Sequence, residues 1–329
     1  MANTKKLLVD PGWGEVLAQS GMRAADLLRR SGLPEDLFNR PRPIVETKHF
    51  QRLWDAMEDA LGPTAALQIG ARIGQGPCDP ARLGVVCSAD LTSGFQRLSQ
   101  LRSLTGAQQV DVNATLGGLE VSVDAAPLPK GALLAELVGI MHLVRLGLGP
   151  DTKPVAVELK DPPLEPQFRD YFGRALRPGP FDRLVFTSEL AKRPVAVPSA
   201  DTFVGFPLDL RPRLDELPVE ATTADRVCTV LMEAMPAGLA DIATVAKRFA
   251  VSPRSLQRRL AVEGTSFKAE VQNLRARLAR HYLRDTASSG TEIAFLLGFD
   301  DPNSFIRAFH DWTGTTPEAM RRTLLEEKR

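Results

Sequence analysis

The apolar residues between Trp13 and Leu61 recur at intervals of three and four positions, which is the period of an amphipathic helix. Gly21, Gly32 and Gly62 interrupt this pattern, so we expect several short helices rather than one long helix. Another helix is predicted for residues 92–104, where every third position from Phe95 onward is apolar. The first part of the chain is therefore predicted to be a layer of short helices.

The apolar period changes to two after residue 107. The sequence QQVDVNATLGGLEVSVDA alternates apolar and polar residues around a glycine pair, which predicts a β-hairpin. A helix is predicted for residues 130–148, and VAVELK and LVFTSE predict two more strands with a short helix between them. The N-terminal part is therefore predicted to be an α+β domain, with helices in front and a small sheet behind.

Prolines are frequent between Pro194 and Pro218, where no apolar period is sustained. This composition is typical of a linker, and we place a domain boundary near residue 218. From Thr222 onward almost every segment predicts helix, interrupted by short polar turns. The predicted architecture is multidomain, with an α+β domain in residues 1–218 and an all-α domain in residues 219–329.

The strongest local pattern begins at Leu239 with a short amphipathic helix that ends before Val251. Ser252 is suited to cap the next helix, and Pro253 to occupy its first turn, where a missing N–H costs nothing. That second helix places Leu256 and Leu260 on one side and its arginines and glutamine on the other. Two short helices joined by a tight turn predict a helix-turn-helix, whose second helix enters the major groove of DNA.

A second copy of this unit follows in TEIAFLLGFDDPNSFIRAFHDWTG. An offset of 49 residues aligns Leu256 with Phe305, Arg258 with Arg307, and Ser255 with Ser304. Between the copies, a helical pattern of about 19 residues predicts a helix of roughly 28 Å. That length would hold two recognition helices about 34 Å apart, one turn of DNA.

Basic residues are concentrated in the segment that contains the first helix-turn-helix and the helix after it. The whole chain of 329 residues has a net charge of only +1, but between Lys247 and Arg284 ten basic residues face two acidic ones, a local net charge of +8. An excess of this size is expected of a surface that contacts phosphates. An ordinary solvated helix surface is the alternative explanation.

The C-terminal part resembles the AraC/XylS family of bacterial transcription regulators. The resemblance rests on IAFLLGFDDPNSFIRAFHDWTGTTPEAMR, with its Gly-Phe turn, SFxRAF core, tryptophan and Thr-Pro, and spans about Val227 to Arg322. It implies base contacts by Arg254, Gln257 and Arg258 in the first unit and by Asn303 and Arg307 in the second. Helix-start groups would hold phosphates, and the predicted interface therefore also includes Ser252, Ser255 and Ser304. Pro302 and the HDW sequence depart from the family pattern, so the second unit is expected to contribute less to sequence recognition.

The N-terminal part contains the segment KPVAVELKDPPLEPQFRDYFGRALRPGPFDRLVFTSELAKRPV. On this segment rests its resemblance to the sensor domain of the AraC subgroup that contains ornithine-responsive regulators. It implies a sensor that binds a small-molecule effector and contributes to a homodimer, with promoter DNA and RNA polymerase as further partners. Candidate effector contacts, chosen as aromatic or guanidinium groups in the helical layer, are Trp54, Arg82, Phe95 and Arg102.

The alternatives to an effector-controlled regulator are an enzyme and a regulator without a small-molecule effector. An enzyme finds little support, because the four histidines lack metal-ligand spacing and no G-x-S-x-G, P-loop or G-x-G-x-x-G motif occurs; no catalytic residue, metal or cofactor is expected. A regulator controlled by a partner protein or by its own abundance is the second alternative. A closed apolar pocket of roughly 300 Å³ or more in the sensor would favour an effector instead.

The chain is expected to act in the cytoplasm, associated with the nucleoid. Its N-terminus lacks the apolar run of a signal peptide, and charged residues interrupt its most apolar stretch, Gly131 to Gly149, so no membrane span is expected. The cysteines Cys78, Cys87 and Cys228 show no paired spacing and are interpreted as free thiols.

Overall fold

The fold was obtained as a computed structural model, which describes residues 6–9, 13–19, 21–39, 43–72, 80–105, 109–123, 128–195, 221–286 and 288–327. The chain divides into two compact units. The first unit comprises Met1–Gly76 and Asp90–Ala196, and the second comprises Pro77–Ala89 and Val197–Arg329. The predicted boundary at residue 218 lies outside the described residues.

The described secondary structure consists of helices and two sheets. The helices are α1 (Trp13–Gln19), α2 (Ala24–Arg30), α3 (Thr47–Leu61), α4 (Ala65–Gly70), α5 (Pro80–Val86), α6 (Leu91–Thr105), α7 (Lys130–Leu148), α8 (Pro166–Phe172), α9 (Ser188–Ala191), α10 (Thr223–Ala234), α11 (Ile242–Arg248), α12 (Pro253–Val262), α13 (Phe267–Asp285), α14 (Gly290–Leu296), α15 (Pro302–Thr313) and α16 (Pro317–Glu327). The strands are β1 (Lys6–Leu8), β2 (Ile44–Glu46), β3 (Val110–Thr115), β4 (Gly118–Val123), β5 (Ala156–Leu159), β6 (Leu176–Pro178) and β7 (Asp182–Thr187). Short 3-10 turns lie at Leu37–Asn39 and Met235–Ala237.

The α+β prediction for the first unit is confirmed by a five-stranded sheet and the helices around it. The strand order is β3-β4-β7-β5-β6, antiparallel except for the β5–β6 pair, which α8 connects. The predicted hairpin is β3–β4, closed by the pairing of Thr115 with Gly118. The small strands β1 and β2 pair with each other and were not predicted.

Helix α7 forms the centre of the first unit, between the sheet on one side and α3 and α4 on the other. Gly70 allows the close approach of α4, because a Cβ there would lie 2.4 Å from the carbonyl oxygen of Ala135. By length and composition α7 could cross a membrane, but 78% of its apolar window is buried inside the structure. That burial is typical of a core helix, so α7 is only weak evidence for a membrane span.

Predicted helix breaks in the first unit coincide with left-handed glycines. Gly21, Gly32 and Gly62 have φ values of 76°, 70° and 78°, a conformation that side-chain-bearing residues rarely adopt. These glycines follow α1, α2 and α3 respectively. The pattern therefore located the ends of these helices correctly.

One helix from the N-terminal half belongs to the second unit. In α5 and the residues just after it, Leu83, Val86 and Cys87 are buried in the same apolar cluster as Met235 and Ala294. The sequence division had assigned residues 77–89 to the first domain, because chain continuity was the available guide. The side chains of residues 80–82 lie outside the described residues.

The all-α prediction for residues after 221 is confirmed by α10 to α16. Their shared core contains Leu256 and Leu260 of α12, Phe305 and Phe309 of α15, and apolar residues of α13. Helix α13 has 19 residues, as predicted, and connects the two helix-turn-helix units.

Candidate nucleic-acid interface

Helix α12 presents a polar face opposite its buried one. Leu256 and Leu260 are fully buried, and Arg254, Gln257 and Arg258 are exposed. Within the part of the chain that the structure describes, none of these three side chains makes a hydrogen bond or ion pair. Their donors are therefore available to a ligand such as the edge of a base pair.

The start of α12 is closed by a neutral cap. The Ser252 hydroxyl accepts a hydrogen bond from the Ser255 backbone N–H at 3.1 Å and lies 3.0 Å from the Ser255 hydroxyl. Pro253 occupies the first turn, as predicted. The helix that precedes the turn, α11, is capped by Asp241, whose carboxylate accepts from the Ala243 and Thr244 N–H groups. These caps satisfy backbone N–H groups at the starts of both helices.

The second helix-turn-helix repeats this geometry, but its helix cap is a carboxylate instead of a neutral hydroxyl. Helix α15 begins at Pro302 and buries Phe305 and Phe309, at the positions the 49-residue offset predicts. Its cap is Asp301, which accepts from the backbone N–H of Ser304 at 2.9 Å and from the Ser304 hydroxyl at 2.6 Å. Hydrogen bonds from Ser304 hold the pKa of the Asp301 carboxyl below its ordinary range, so this cap is charged at neutral pH.

In the second helix-turn-helix, one predicted DNA contact already has a hydrogen-bond partner within the protein. Arg307 donates a hydrogen bond to the Ser304 hydroxyl at 3.2 Å, and that hydroxyl in turn donates to Asp301. Asn303 is exposed. A carboxylate at the start of α15 opposes the binding of a phosphate there, because both groups are negative. Sequence reasoning missed this cap, although Asp301-Pro302 aligns with Ser252-Pro253.

Arg275 and Arg248 of the basic segment contact other parts of the protein. Arg275 of α13 donates to the carbonyl oxygens of Leu297 and Gly298 at 2.9 and 3.1 Å and lies 4.3 Å from the centre of the Phe299 ring. Burial lowers the pKa of this guanidinium. Arg248 pairs with Glu233 at 3.3 Å. The remaining basic side chains of the segment are exposed: Lys247, Arg254, Arg258, Arg259, Lys268, Arg277, Arg280 and Arg284.

The four predicted effector contacts have different surroundings. Trp54 is 1% exposed and donates its indole N–H to Glu58 at 2.7 Å, and Phe95 is fully buried. Arg102 pairs with Glu136 at 2.6 Å, with both side chains largely buried. Arg82 belongs to α5, in the other unit, and its side chain lies outside the described residues. Of the described side chains, those of Trp54, Phe95 and Arg102 do not line the cavity between α7, β5 and β7.

Known proteins resemble the chain in both units. A helix-turn-helix domain model matches residues 245–323, and the model of the arabinose-binding domain of the AraC transcription regulator matches residues 21–195. The ornithine utilization regulator of Pseudomonas aeruginosa is 27% identical over 316 residues, 93% of each chain. The transcriptional regulator VirS of Mycobacterium tuberculosis is 24% identical over 323 residues, 94% of each chain. These relatives are regulators, not enzymes.

One solved structure spans almost the whole chain. The transcriptional regulator CdpR of Pseudomonas aeruginosa matches 95% of this chain and 98% of its own, at 20% identity and a TM-score of 0.39. Of the two matching family models, one covers more than half of the chain and the other covers the duplicated helix-turn-helix. The chain belongs to the AraC family of transcription regulators, with a DNA-binding helix-turn-helix domain that follows an arabinose-binding-type domain.

Proposed function

We propose that this regulator recognises specific promoter sequences mainly through α12. It acts as a homodimer in the cytoplasm, associated with the nucleoid, and activates transcription by contacting RNA polymerase. A small-molecule effector bound in the first unit controls this activation. The exposed and unengaged set of Arg254, Gln257 and Arg258 supports the leading role of α12. Arginine and glutamine are suited to bidentate hydrogen bonds with guanine and adenine edges. Helix α15 would add contacts from Asn303 and Arg307.

Phosphate contacts would position the two helices on the duplex. Ser252 and Ser255 lie at the neutral start of α12, where backbone N–H groups favour an anion. Ser304 would play the corresponding part in α15, beside the carboxylate of Asp301. The first helix-turn-helix is therefore expected to dominate affinity as well as base recognition.

The role of α12 is tested by binding to DNA selected from a random pool, compared with unselected DNA. Arg258→Ala is expected to lose about 1–3 kcal/mol on the selected site and to relax preference at one base position. Arg259→Ala is the matched control, because it removes the same charge from the same helix about 100° around the axis. Equal losses by both variants on both kinds of DNA would contradict base recognition by Arg258.

Control by a partner protein or by the regulator's own abundance is a second candidate, because the cavity in the first unit is small. The cavity considered below has a volume of about 200 Å³, smaller than the roughly 300 Å³ at which drug-sized pockets begin. Exhaustively dialysed protein distinguishes the two modes. Selected-DNA binding or transcription that responds to an added small molecule supports effector control, whereas a response only to another protein supports the alternative.

A further inference from the structure

The first unit contains a half-open cavity of about 200 Å³ at the ends of two inner strands of its sheet. It lies where α7 begins, β5 ends and β7 begins. Its wall is apolar and its remaining lining is charged: Leu128, Leu133, Leu134, Leu159 and Pro163, with Lys130, Lys160, Asp161 and Asp182. At about 30 Å³ per water molecule, the cavity offers the space of six or seven waters. It therefore fits a small molecule with a short apolar chain.

Asp182 is the buried charge of this cavity. Its residue surface is only 7% exposed, and its Oδ1 accepts the backbone N–H of Lys160 at 2.9 Å. Among the described residues this is its single hydrogen bond, and it has no ion-pair partner. An ionised carboxylate accepts about four hydrogen bonds, and burying one without a counter-charge is unfavourable. A cationic group in the cavity would remove that penalty.

The rim of the cavity favours an anion, whereas Asp182 favours a cation. The Lys130 ammonium pairs with Asp161 at 2.8 Å, and both side chains are more than half exposed. Lys160 is exposed and makes no ion pair within the described part of the chain. Lys130 also begins the 19-residue helix α7, whose N-cap, Pro129, provides no side-chain hydrogen bond. Unsatisfied N–H groups and an ammonium at one helix start favour an anion.

We propose that this cavity binds a small aliphatic molecule that carries an ammonium group at one end and a carboxylate at the other. The ammonium donates to Asp182, the chain packs against Leu133, Leu134 and Leu159, and the carboxylate meets Lys160 at the rim. The regulatory consequence of this site rests on the proposed effector control. Binding itself does not, and it is measured without DNA.

The test is calorimetric titration of the full chain with three probes of matched length. 5-Aminopentanoate carries both charged ends, pentylamine only the ammonium, and pentanoate only the carboxylate. We expect 5-aminopentanoate to bind most tightly, pentylamine more weakly, and pentanoate not measurably, because the buried carboxylate repels an anion. Absence of binding by 5-aminopentanoate, or equal binding of pentanoate, would overturn the proposal.

Two variants locate the binding. Asp182→Asn keeps an acceptor for the Lys160 N–H but removes the charge, and should weaken 5-aminopentanoate about tenfold or more, given the strength of charge-assisted hydrogen bonds. Asp170→Asn, which removes an exposed carboxylate of α8, is the control and should leave affinity unchanged. Lys160→Gln, at an exposed position, should weaken the binding of 5-aminopentanoate severalfold and leave the affinity for pentylamine unchanged. Unchanged affinity in both Asp182→Asn and Lys160→Gln would place any binding elsewhere and overturn the site.

A DNA-binding assay with and without the probe separates this proposal from the proposed function. Probe binding that depends on Asp182 but does not alter DNA occupancy or transcription supports the site and counts against effector control through it. DNA binding that responds to another small molecule, with no calorimetric binding of the probes, supports effector control and overturns the site.

Discussion

Asp301 accepts both the backbone N–H and the hydroxyl hydrogen bond of Ser304, at 2.9 and 2.6 Å. The corresponding residue of the first helix-turn-helix is Ser252, which caps its helix without a charge. The two recognition helices therefore begin with different electrostatics on otherwise similar backbones. This difference gives a physical reason for unequal contributions to DNA binding.

Replacing Asp301 with serine should strengthen DNA binding. Serine caps a helix about as well as aspartate, so α15 should keep its stability while a negative charge leaves the expected path of the phosphates. We expect affinity to rise severalfold at low salt and less at high salt, because salt screens the charge that the substitution removes. Fluorescence anisotropy with labelled DNA measures the change.

The matched control for that change is Asp311→Asn, which removes an exposed charge near the other end of α15. It should alter affinity much less than Asp301→Ser. A loss of affinity in Asp301→Ser, with an unchanged melting temperature, would mean that the carboxylate supports DNA binding.

Arg275 is expected to act on stability. Arg275→Ala removes two hydrogen bonds to carbonyl oxygens and the stacking on Phe299, and should lower the free energy of unfolding by about 2 kcal/mol or more. Arg280→Ala, an exposed arginine on the same helix, should leave stability nearly unchanged. Chemical denaturation of both variants decides the point, and equal stability of the two would show that the Arg275 contacts contribute nothing.

Leu83 of α5 should stabilise the DNA-binding unit although it lies in the N-terminal half of the chain. It is fully buried among residues of the second unit, so Leu83→Ala should cost about 2–5 kcal/mol. Hydrogen exchange should then increase in α14 and in the Met235–Ala237 turn, which α5 contacts. Leu98→Ala, buried in the first unit, is the control and should increase exchange there. Unchanged protection of α14 in Leu83→Ala would contradict the assignment of α5 to the second unit.

Much of the second unit was predictable because its signals are local. Ser252 and Pro253 mark a helix start within two residues, and the repeat of Leu256 and Leu260 as Phe305 and Phe309 marks the second copy. The hairpin was predictable for the same reason, since two-residue alternation and the Gly117-Gly118 pair lie within one short segment. Local patterns of this kind determine elements and their ends.

The features that were missed depend on contacts distant in sequence. Nothing near Leu83 indicates that α5 packs with Met235, and nothing near Arg275 indicates that its partners are Leu297 and Gly298. The effector candidates were chosen by residue type alone, and residue type does not show that Trp54 is already held in the core. The cavity at Asp182 likewise forms only when β5, β7 and α7 meet.

Cys228 should react slowly with thiol reagents. Burial, with a smaller effect from Glu270, raises the pKa of its thiol to about 11, so the reactive thiolate is scarce at pH 8. Between the ordinary pKa near 9 and the raised value, the folded state retains a proton that the unfolded state loses, so this thiol's contribution to stability falls as pH rises through that window. Pulse alkylation with peptide mapping at pH 8 should show labelling about 100-fold slower than in the denatured chain. Equal rates at pH 8 would contradict the raised pKa.

The central claim is that the two helix-turn-helix motifs recognise one DNA site together and that α12 contributes most of the base recognition. Hydroxyl-radical footprinting on DNA selected by the full chain from a random pool tests it most directly. We predict two protected segments on one face of the duplex, about 10 base pairs apart, with the stronger sequence preference in the segment lost on Arg258→Ala. No enriched sequence, or a single segment that Arg258→Ala leaves intact, would contradict the account.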